Sequence, residues 1–203
     1  MQTVTLIDVG VGNLHSVQKA LETCGARVVR TRSPEEVLHA RRVILPGVGA
    51  FASFMQELHA AFLDQALQEA VQSGALLLGI CLGMQVMFEM SEEQGEHKGL
   101  GWLPGRVQRF PHLPGLLVPH TGWNQALLLR SSPLFAHLSK EEYFYFNHSY
   151  YCPAEGKATL AWSEHGVTFA AAVEWENLRG VQFHPEKSQA AGLRLLRNFL
   201  ELP

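Results

Sequence analysis

The sequence predicts an α/β fold: a mostly parallel central sheet, covered by helices on both faces, with antiparallel strands appended. Three observations predict it. Apolar runs alternate with stretches of helical period from residue 4 to residue 90, the pattern of strands joined by crossover helices. The runs themselves, above all Ala75 to Ile80, carry too few polar positions to leave one face in water. From Leu100 onward the rhythm changes to short segments rich in aromatic and β-branched residues, punctuated by Pro and Gly, as antiparallel strands and their turns would be.

Taken in order, Val4 to Asp8 reads as a short buried strand ended by Gly10 and Gly12. A helix follows over His15 to Thr23, with Val17, Ala20 and Leu21 at helical spacing and Gly25 as its C-terminal cap. Arg27 to Arg30 is a second strand. Ser33-Pro34-Glu35-Glu36 starts a helix, with serine at the N-cap, proline at the first helical position and glutamate at the third. Val43-Ile44-Leu45 is a third strand, ended by Pro46-Gly47-Val48-Gly49. A long amphipathic helix is predicted over Phe54 to Ser73, stopped by Gly74, and Ala75 to Ile80 is a strand buried on both faces. Leu82 to Met90 is apolar at helical spacing. Later strands are predicted over 106–110, 142–146, 159–163, 167–175 and 181–183, and an amphipathic helix over Gln189 to Leu200. No repeat, linker or low-complexity tract interrupts the chain, so residues 1–203 read as one domain.

Composition narrows the function classes. A chain of 203 residues buries a full core without disulfides or metals. A net charge of −3, with no basic run longer than Arg41-Arg42, argues against nucleic acid as the main partner. Cys24, Cys81 and Cys152 cannot all pair within one chain and lack zinc-site spacing, which favours a reducing compartment. The start MQTVTLIDVG has no basic segment followed by an apolar one, so no signal peptide is visible. The longest apolar run falls far short of the ~20 residues that span a bilayer. The expectation is a soluble, cytoplasmic protein.

The most informative stretch is Gly79-Ile80-Cys81-Leu82-Gly83. A buried strand runs into glycine, cysteine and glycine before a helix. Small residues on both sides of a nucleophile permit a strained turn that lifts its side chain above the sheet edge. The carboxyl ends of strands in open α/β sheets are also where ligands bind. A helix N-terminus behind Cys81 would favour the thiolate, and the Leu82 N–H would face a developing oxyanion. The competing reading is a structural cysteine, since free cysteines are among the most buried residues. Gln182-Phe183-His184-Pro185-Glu186 supplies what a thiol nucleophile needs. His184 is a base to take the proton, and Glu186 is an acid to fix its tautomer. Pro185 keeps a helix from forming across them. A chance His-x-Glu on a surface turn is the alternative. Pro46-Gly47-Val48-Gly49 is a third piece, a glycine loop able to present N–H groups to an anion, although such turns are common at strand ends.

Together these pieces resemble the class I (triad) glutamine amidotransferases, whose domain is a flavodoxin-like α/β sheet. The family's G-x-C-x-G is present as Gly79 to Gly83 and its His-Pro-Glu as His184 to Glu186. Within that family the chain is similar to the branch that serves as glutaminase subunit of imidazole glycerol phosphate synthase. Asp8 to Ser16 resembles that branch's D-[YV]-G-x-G-N-L-x-S. Pro46 to Gly49 takes the place of a Pro-Gly-Gly-Pro-type loop, Pro119 to Asn124 resembles P-H-[MI]-G-W-N, and Phe146 to Tyr150 resembles F-x-H-S-Y. Thr121 departs from the pattern, which has a larger apolar residue there.

The resemblance implies a mechanism. Cys81 attacks the side-chain amide of glutamine, His184 moves the proton, Glu186 orients His184, and the thioester is hydrolysed to glutamate. It implies Gly49 and Leu82 as oxyanion donors and Gln85, Glu93, Ser149 and Tyr150 around the amino-acid end of glutamine. It also implies a (β/α)₈-barrel synthase subunit as heterodimer partner, which receives the ammonia and makes imidazole glycerol phosphate and an aminoimidazole carboxamide ribotide in histidine biosynthesis. Asn13, Trp123, Asn124 and Tyr143 are candidates for that interface. No cofactor and no metal are implied. A turn of the Val48 peptide that aims the next N–H inward is a physical means by which the partner could gate the glutaminase. Three other readings stand beside this one. They are a glutaminase for another acceptor (pyridoxal phosphate, guanylate or anthranilate synthesis), a cysteine hydrolase of similar fold, and a regulator with a decayed site. The block 119–124 speaks against the first, the glutamine-holding segment against the second, and the intact Cys81, His184 and Glu186 against the third.

Overall fold

A computed structural model describes residues 1–10 and 13–203. Val11 and Gly12, which the sequence places in the loop after the first strand, lie outside the described residues. The elements run β1 (Thr3–Ile7), α1 (Leu14–Thr23), β2 (Arg27–Thr31), α2 (Pro34–Leu38), β3 (Arg42–Gly47), α3 (Phe51–Ala60), α4 (Leu63–Gln72), β4 (Leu76–Cys81), α5 (Leu82–Gln85) and β5 (Phe88–Ser91). They continue β6 (His97–Lys98), β7 (Leu103–Arg109), β8 (His120–Leu128), β9 (Glu141–His148), β10 (Tyr150–Tyr151), β11 (Thr159–Glu164), β12 (Thr168–Trp175), β13 (Leu178–Val181) and α6 (Gln189–Glu201).

A nine-stranded sheet in the order β2-β1-β3-β4-β13-β12-β11-β8-β9 forms the frame, with a four-stranded sheet β10-β7-β5-β6 beside it. The half from β2 to β13 is parallel, and the half from β13 to β9 is antiparallel. The appended strands therefore extend the same sheet and equal the parallel part in number of pairings. One core cluster lies against α1 and α6, with Leu14, Val17, Leu195 and Phe199 buried in it. The other lies against α2, α3 and α4, with Val37, Phe54, Leu58 and Leu67 buried. This two-faced covering explains why Leu77 and Leu78, which point to opposite faces, are both fully buried.

Local chemistry sets the element ends as expected at several places. The Ser33 side chain accepts from the Glu36 N–H, with Pro34 at the first helical turn. Gly25 and Gly74 follow α1 and α4 with φ of 86° and 93°, the left-handed region that glycine enters without a Cβ penalty.

Elsewhere the structure departs from the expected elements. The long helix over 54–73 is two helices, broken where Phe62 takes φ 54°. Both halves keep an apolar stripe, so periodicity conceals the break. The apolar stretch Leu82 to Met90 is one helical turn, and the chain then enters β5. The last short strand is 178–181 rather than 181–183, because Gln182 onward leaves the sheet to carry His184. β8, nine residues long, lies across the block 119–124.

The β4–α5 elbow is held by close packing. Cys81 sits at φ 55°, ψ −112°, a conformation that costs ~1–3 kcal/mol in a non-glycine residue and persists only where packing imposes it. A Cβ on Gly83 would stand 1.8 Å from the Leu45 carbonyl oxygen, and one on Gly79 would stand 2.5 Å from the Gly83 carbonyl oxygen. A Cβ on Gly180 would stand 2.5 Å from Met84 Cγ. The one-turn helix thus lies against three strands through positions with no side chain. Gly83→Ala is expected to destabilise the fold by ~3 kcal/mol, at the upper end of overpacking costs. Guanidinium unfolding reads this as a lowered midpoint with unchanged slope. An unchanged midpoint would show that the elbow does not pack on β3 in this way.

Candidate functional site

The parallel order brings three distant segments to one edge. β3, β4 and β13 are neighbours, and their carboxyl ends carry Val48-Gly49, Cys81 and the Gln182 to His184 segment. A cavity of about 290 Å³ opens there, bordered by Gly49, Cys81, Glu93, Asn147, Tyr150 and His184 among others. It is at the small end of ligand sites.

His184 is buried and borders the same cavity as Cys81. Its Nδ1 lies 2.8 Å from Glu186 Oε1. The local chain explains this contact. His184 precedes proline and is extended at φ −99°, ψ 96°. Pro185 then opens a single 3-10 turn over Pro185–Lys187, which swings the Glu186 carboxylate back under the ring. The turn is fixed by the Ser188 hydroxyl donating to the His184 carbonyl at 2.6 Å and by the His184 N–H donating to the Tyr145 carbonyl at 2.9 Å. Burial alone would favour the neutral imidazole. The attraction and hydrogen bonds of Cys81 and Glu186 outweigh it and raise the His184 pKa to about 10. The ring is therefore poised to hold a proton beside the sulfur. α5 is only four residues long, so its dipole adds little and the positive charge near Cys81 is that of His184.

Leu82 is the first residue of α5, where an N–H has no partner within the helix. Gly49 sits at φ 96° with open space where a Cβ would stand, so glycine is needed there for conformation rather than room. Both border the cavity with Cys81, as does Val48.

Gln85, Glu93, Ser149 and Tyr150 all border the same cavity. The Gln85 Nε2 group is already used, donating to the Tyr150 carbonyl at 2.8 Å and to Gln182 Oε1 at 3.0 Å. Glu93 Oε2 accepts from the Phe51 N–H at 2.8 Å, which anchors the carboxylate at the start of α3. The structure adds residues the sequence did not single out. Gln182, fully buried, turns its Nε2 toward Cys81 Sγ at 3.7 Å. His148 borders the cavity beside Ser149 and Tyr150, and His120 is bonded to it from behind. Their motifs were visible in the sequence, but nothing in spacing alone gave the two histidines a common place.

The four interface candidates separate. Trp123 and Tyr143 are 45% and 51% exposed and share one face of the β8–β9 ribbon, since Trp123 pairs with Tyr145 and Gln125 with Tyr143. Lys187 lies over the Tyr145 ring on that face, which joins it to the cavity rim. Asn13 caps α1, accepting from the Ser16 N–H, and borders a smaller cavity behind His184 and Glu186. Asn124 belongs to the opposite face of β8, where its amide bonds His120 and the Glu164 carbonyl. Strand alternation forbids it from joining Trp123. Thr121 is on the Trp123 face and donates to Asn147 Oδ1 at 3.0 Å, a bond the usual apolar residue could not make. Neither Cys24 nor Cys152 borders the cavity, and burial pushes both thiols upward, with Cys81 adding to the effect on Cys152.

The chain matches the family model for Glutamine amidotransferase class-I over residues 5–202. It is 47% identical to the Imidazole glycerol phosphate synthase subunit HisH of Salinibacter ruber, covering 98% of this chain and 94% of that one. It is 48% identical to the subunit of the same name from Moorella thermoacetica, over 100% and 96%. Among solved structures, PurLQS from Thermotoga maritima contains a chain superposing with a TM-score of 0.76 at 18% identity, over 98% of each. That likeness is one of fold. The family match spans nearly the whole sequence, and the chain belongs to the class-I glutamine amidotransferases.

Proposed function

We propose that this chain is the glutaminase subunit of an imidazole glycerol phosphate synthase, with residues 1–203 forming one glutamine amidotransferase domain. The observation that supports it most is the convergence of Cys81, His184 and Glu186 on one cavity, in a chain about half identical to HisH subunits over nearly its full length. Glutamine enters with its side-chain amide beside Cys81 and its charged end against Glu93, Ser149 and Tyr150. The Cys81 sulfur attacks the amide carbon, and the N–H groups of Leu82 and Gly49 take the oxyanion. His184 delivers its proton to the departing nitrogen, releasing ammonia and leaving a thioester on Cys81. A water molecule, deprotonated by His184, then attacks the thioester and frees glutamate. Glu186 holds the imidazole in one orientation throughout.

The ammonia passes to a (β/α)₈-barrel subunit, docked on the face that carries Trp123, Tyr143 and Lys187, for histidine biosynthesis. Among the described residues no helix is long and apolar enough to cross a membrane, and we place the complex in the cytoplasm on the nature of this pathway. A glutaminase serving another acceptor is the second reading, and co-purification with a barrel subunit decides between them.

Three outcomes are expected. Cys81→Ala abolishes glutamine-dependent synthesis by the complex and leaves synthesis from added ammonium salt intact. Surviving glutamine-dependent turnover would sink the thioester route. The free subunit hydrolyses glutamine far more slowly than the complex with the barrel subunit's ligand bound, because the Val48 peptide turns only then, and equal steady-state rates would remove the gating. Glu186→Gln takes away a partner that favours the charged imidazole. The His184 titration, followed by NMR, therefore moves to lower pH, and kcat falls roughly 10²–10⁴-fold. A mutant with wild-type rate and titration would show that Glu186 does not act on His184.

A further inference from the structure

His120 and His148 stand directly opposite each other on β8 and β9, and His120 Nδ1 lies 3.0 Å from His148 Nε2. The hydrogen bonds around them determine every proton. The Asn124 Oδ1 accepts from the Gln125 N–H at 2.8 Å, which fixes the orientation of the amide. Its Nδ2 group donates to the Glu164 carbonyl at 2.9 Å and to His120 Nε2 at 3.1 Å. His120 Nε2 therefore carries no hydrogen, and the neutral ring carries it on Nδ1, donating to His148 Nε2. His148 in turn carries its hydrogen on Nδ1, donating to the Tyr150 carbonyl at 2.8 Å. The same carbonyl accepts from Gln85 at 2.8 Å, and Gln85 leads through Gln182 to Cys81.

We propose that His120 and His148 form a neutral relay of fixed tautomer that holds the Tyr150 carbonyl, and so the Ser149–Tyr150 wall, in place for glutamine. Both are then positioning residues, with Asn124 setting the polarity from the far end. The proposal rests on reading the cavity as the glutamine site. A proton added to His120 would set N–H against the Asn124 amide, and one added to His148 would set N–H against His120. The surroundings disfavour charge as well. His120 is stacked between Phe146 and His165 at 5.0 Å and 4.2 Å, and Phe110 and Phe169 close the pair from the other sides. The titratable groups facing it are His165, which bonds the Leu117 carbonyl, and His184. Burial, reinforced by these neighbouring histidines, lowers His120 to about 4 and His148 to about 3. Folded values below the ordinary 6.5 mean that the relay's contribution to stability is present above pH 6.5 and drains as pH falls toward 4 and 3.

The test uses the complex with its barrel subunit. Asn124→Asp keeps the shape but replaces the donor by an acceptor, and it is assayed at a pH where ¹⁵N NMR finds His120 neutral in the variant, so that both tautomers invert and a lone pair turns toward the Tyr150 carbonyl. KM for glutamine is expected to rise about tenfold, the loss of one hydrogen bond, with kcat at saturating glutamine within about twofold. In the wild-type chain, ¹⁵N NMR at pH 7 is expected to show both rings neutral and protonated on Nδ1. Glu93→Gln serves as the control for the glutamine site and raises KM on its own account. If Glu93→Gln raises KM while Asn124→Asp leaves it unchanged, or lowers kcat alone, the relay is overturned and the glutamine site stands. If neither changes KM, the glutamine site is misread and the relay falls with it. Should Asn124→Asp not fold, or should its carboxylate charge His120 throughout the assay range, the NMR of the wild-type chain decides: an imidazolium or an Nε2–H tautomer on either ring overturns the proposal.

Discussion

The parallel pairing of β13 with β4 is the constraint on which the site depends. Val181 lies opposite Ile80 and Gly180 opposite Gly79. That register places Cys81 and the Gln182–His184 segment one step beyond a shared edge, although Gln182 and Cys81 are 101 residues apart in the chain. Closing so long a loop costs entropy that grows slowly with length, and no local interaction near either motif could offset it. The cost is met by a sheet buried on both faces, where Leu78, Ile80, Val181 and Phe183 lie in one continuous cluster. A one-residue slip would point His184 away from Cys81 and turn the apolar set of β13 to the wrong face. The chemistry and the core therefore specify the same register.

From that register the strain at Cys81 follows. The sulfur reaches the cavity because its backbone leaves the strand at positive φ, and the turn is tight because α5 lies directly on β3, β4 and β13. Gly83, Gly79 and Gly180 each stand where a Cβ would collide with a neighbouring element. The glycines of the G-x-C-x-G pattern are thus explained by close approach, of α5 to Gly79 and of β3 to Gly83, rather than by flexibility. Gly49 differs, since it has open space and a positive φ. It is the position where a peptide could rotate without disturbing packing.

How much of this was legible in the sequence depended on whether the signal was local. The first strands, the Ser33 cap, the glycine stops after α1 and α4 and α6 all have their causes within a few residues, and all were readable. The elbow and the His-Pro-Glu turn were readable for the same reason. The helix predicted over 82–90 failed because Met84, Val86, Met87 and Phe88 are all buried, and a run buried on every side fits either period. The break at Phe62 carries no Gly or Pro. β8 was hidden because neither of its faces is plainly apolar: one holds His120 and Asn124, the other Thr121 and Trp123. Its partner β9 lies about twenty residues downstream in the pairing, and non-local pairs of this kind are set by tertiary context. Asn124 was grouped with Trp123 by proximity in sequence, and only the strand pairing shows that they face apart.

The site divides charge by the partners it gives each imidazole. His184 faces a carboxylate and a thiol, both of which favour its charged form, and is raised to about 10. Among the described residues His148 has no acid partner. It faces an amide-fixed imidazole and aromatic rings, and it is held near 3. If His148 were charged as well, two cations would border one small cavity and compete for Glu186. Keeping it neutral leaves His184 as the one imidazolium beside the sulfur. The neutral ring can then act as donor to a backbone carbonyl without placing a second positive charge at the cavity. The Tyr150 carbonyl receives one hydrogen bond from this neutral chain and one from the Gln85–Gln182 chain that ends on Cys81. The wall that would hold glutamine and the sulfur that would attack it are thereby fixed relative to each other through side chains that carry no charge.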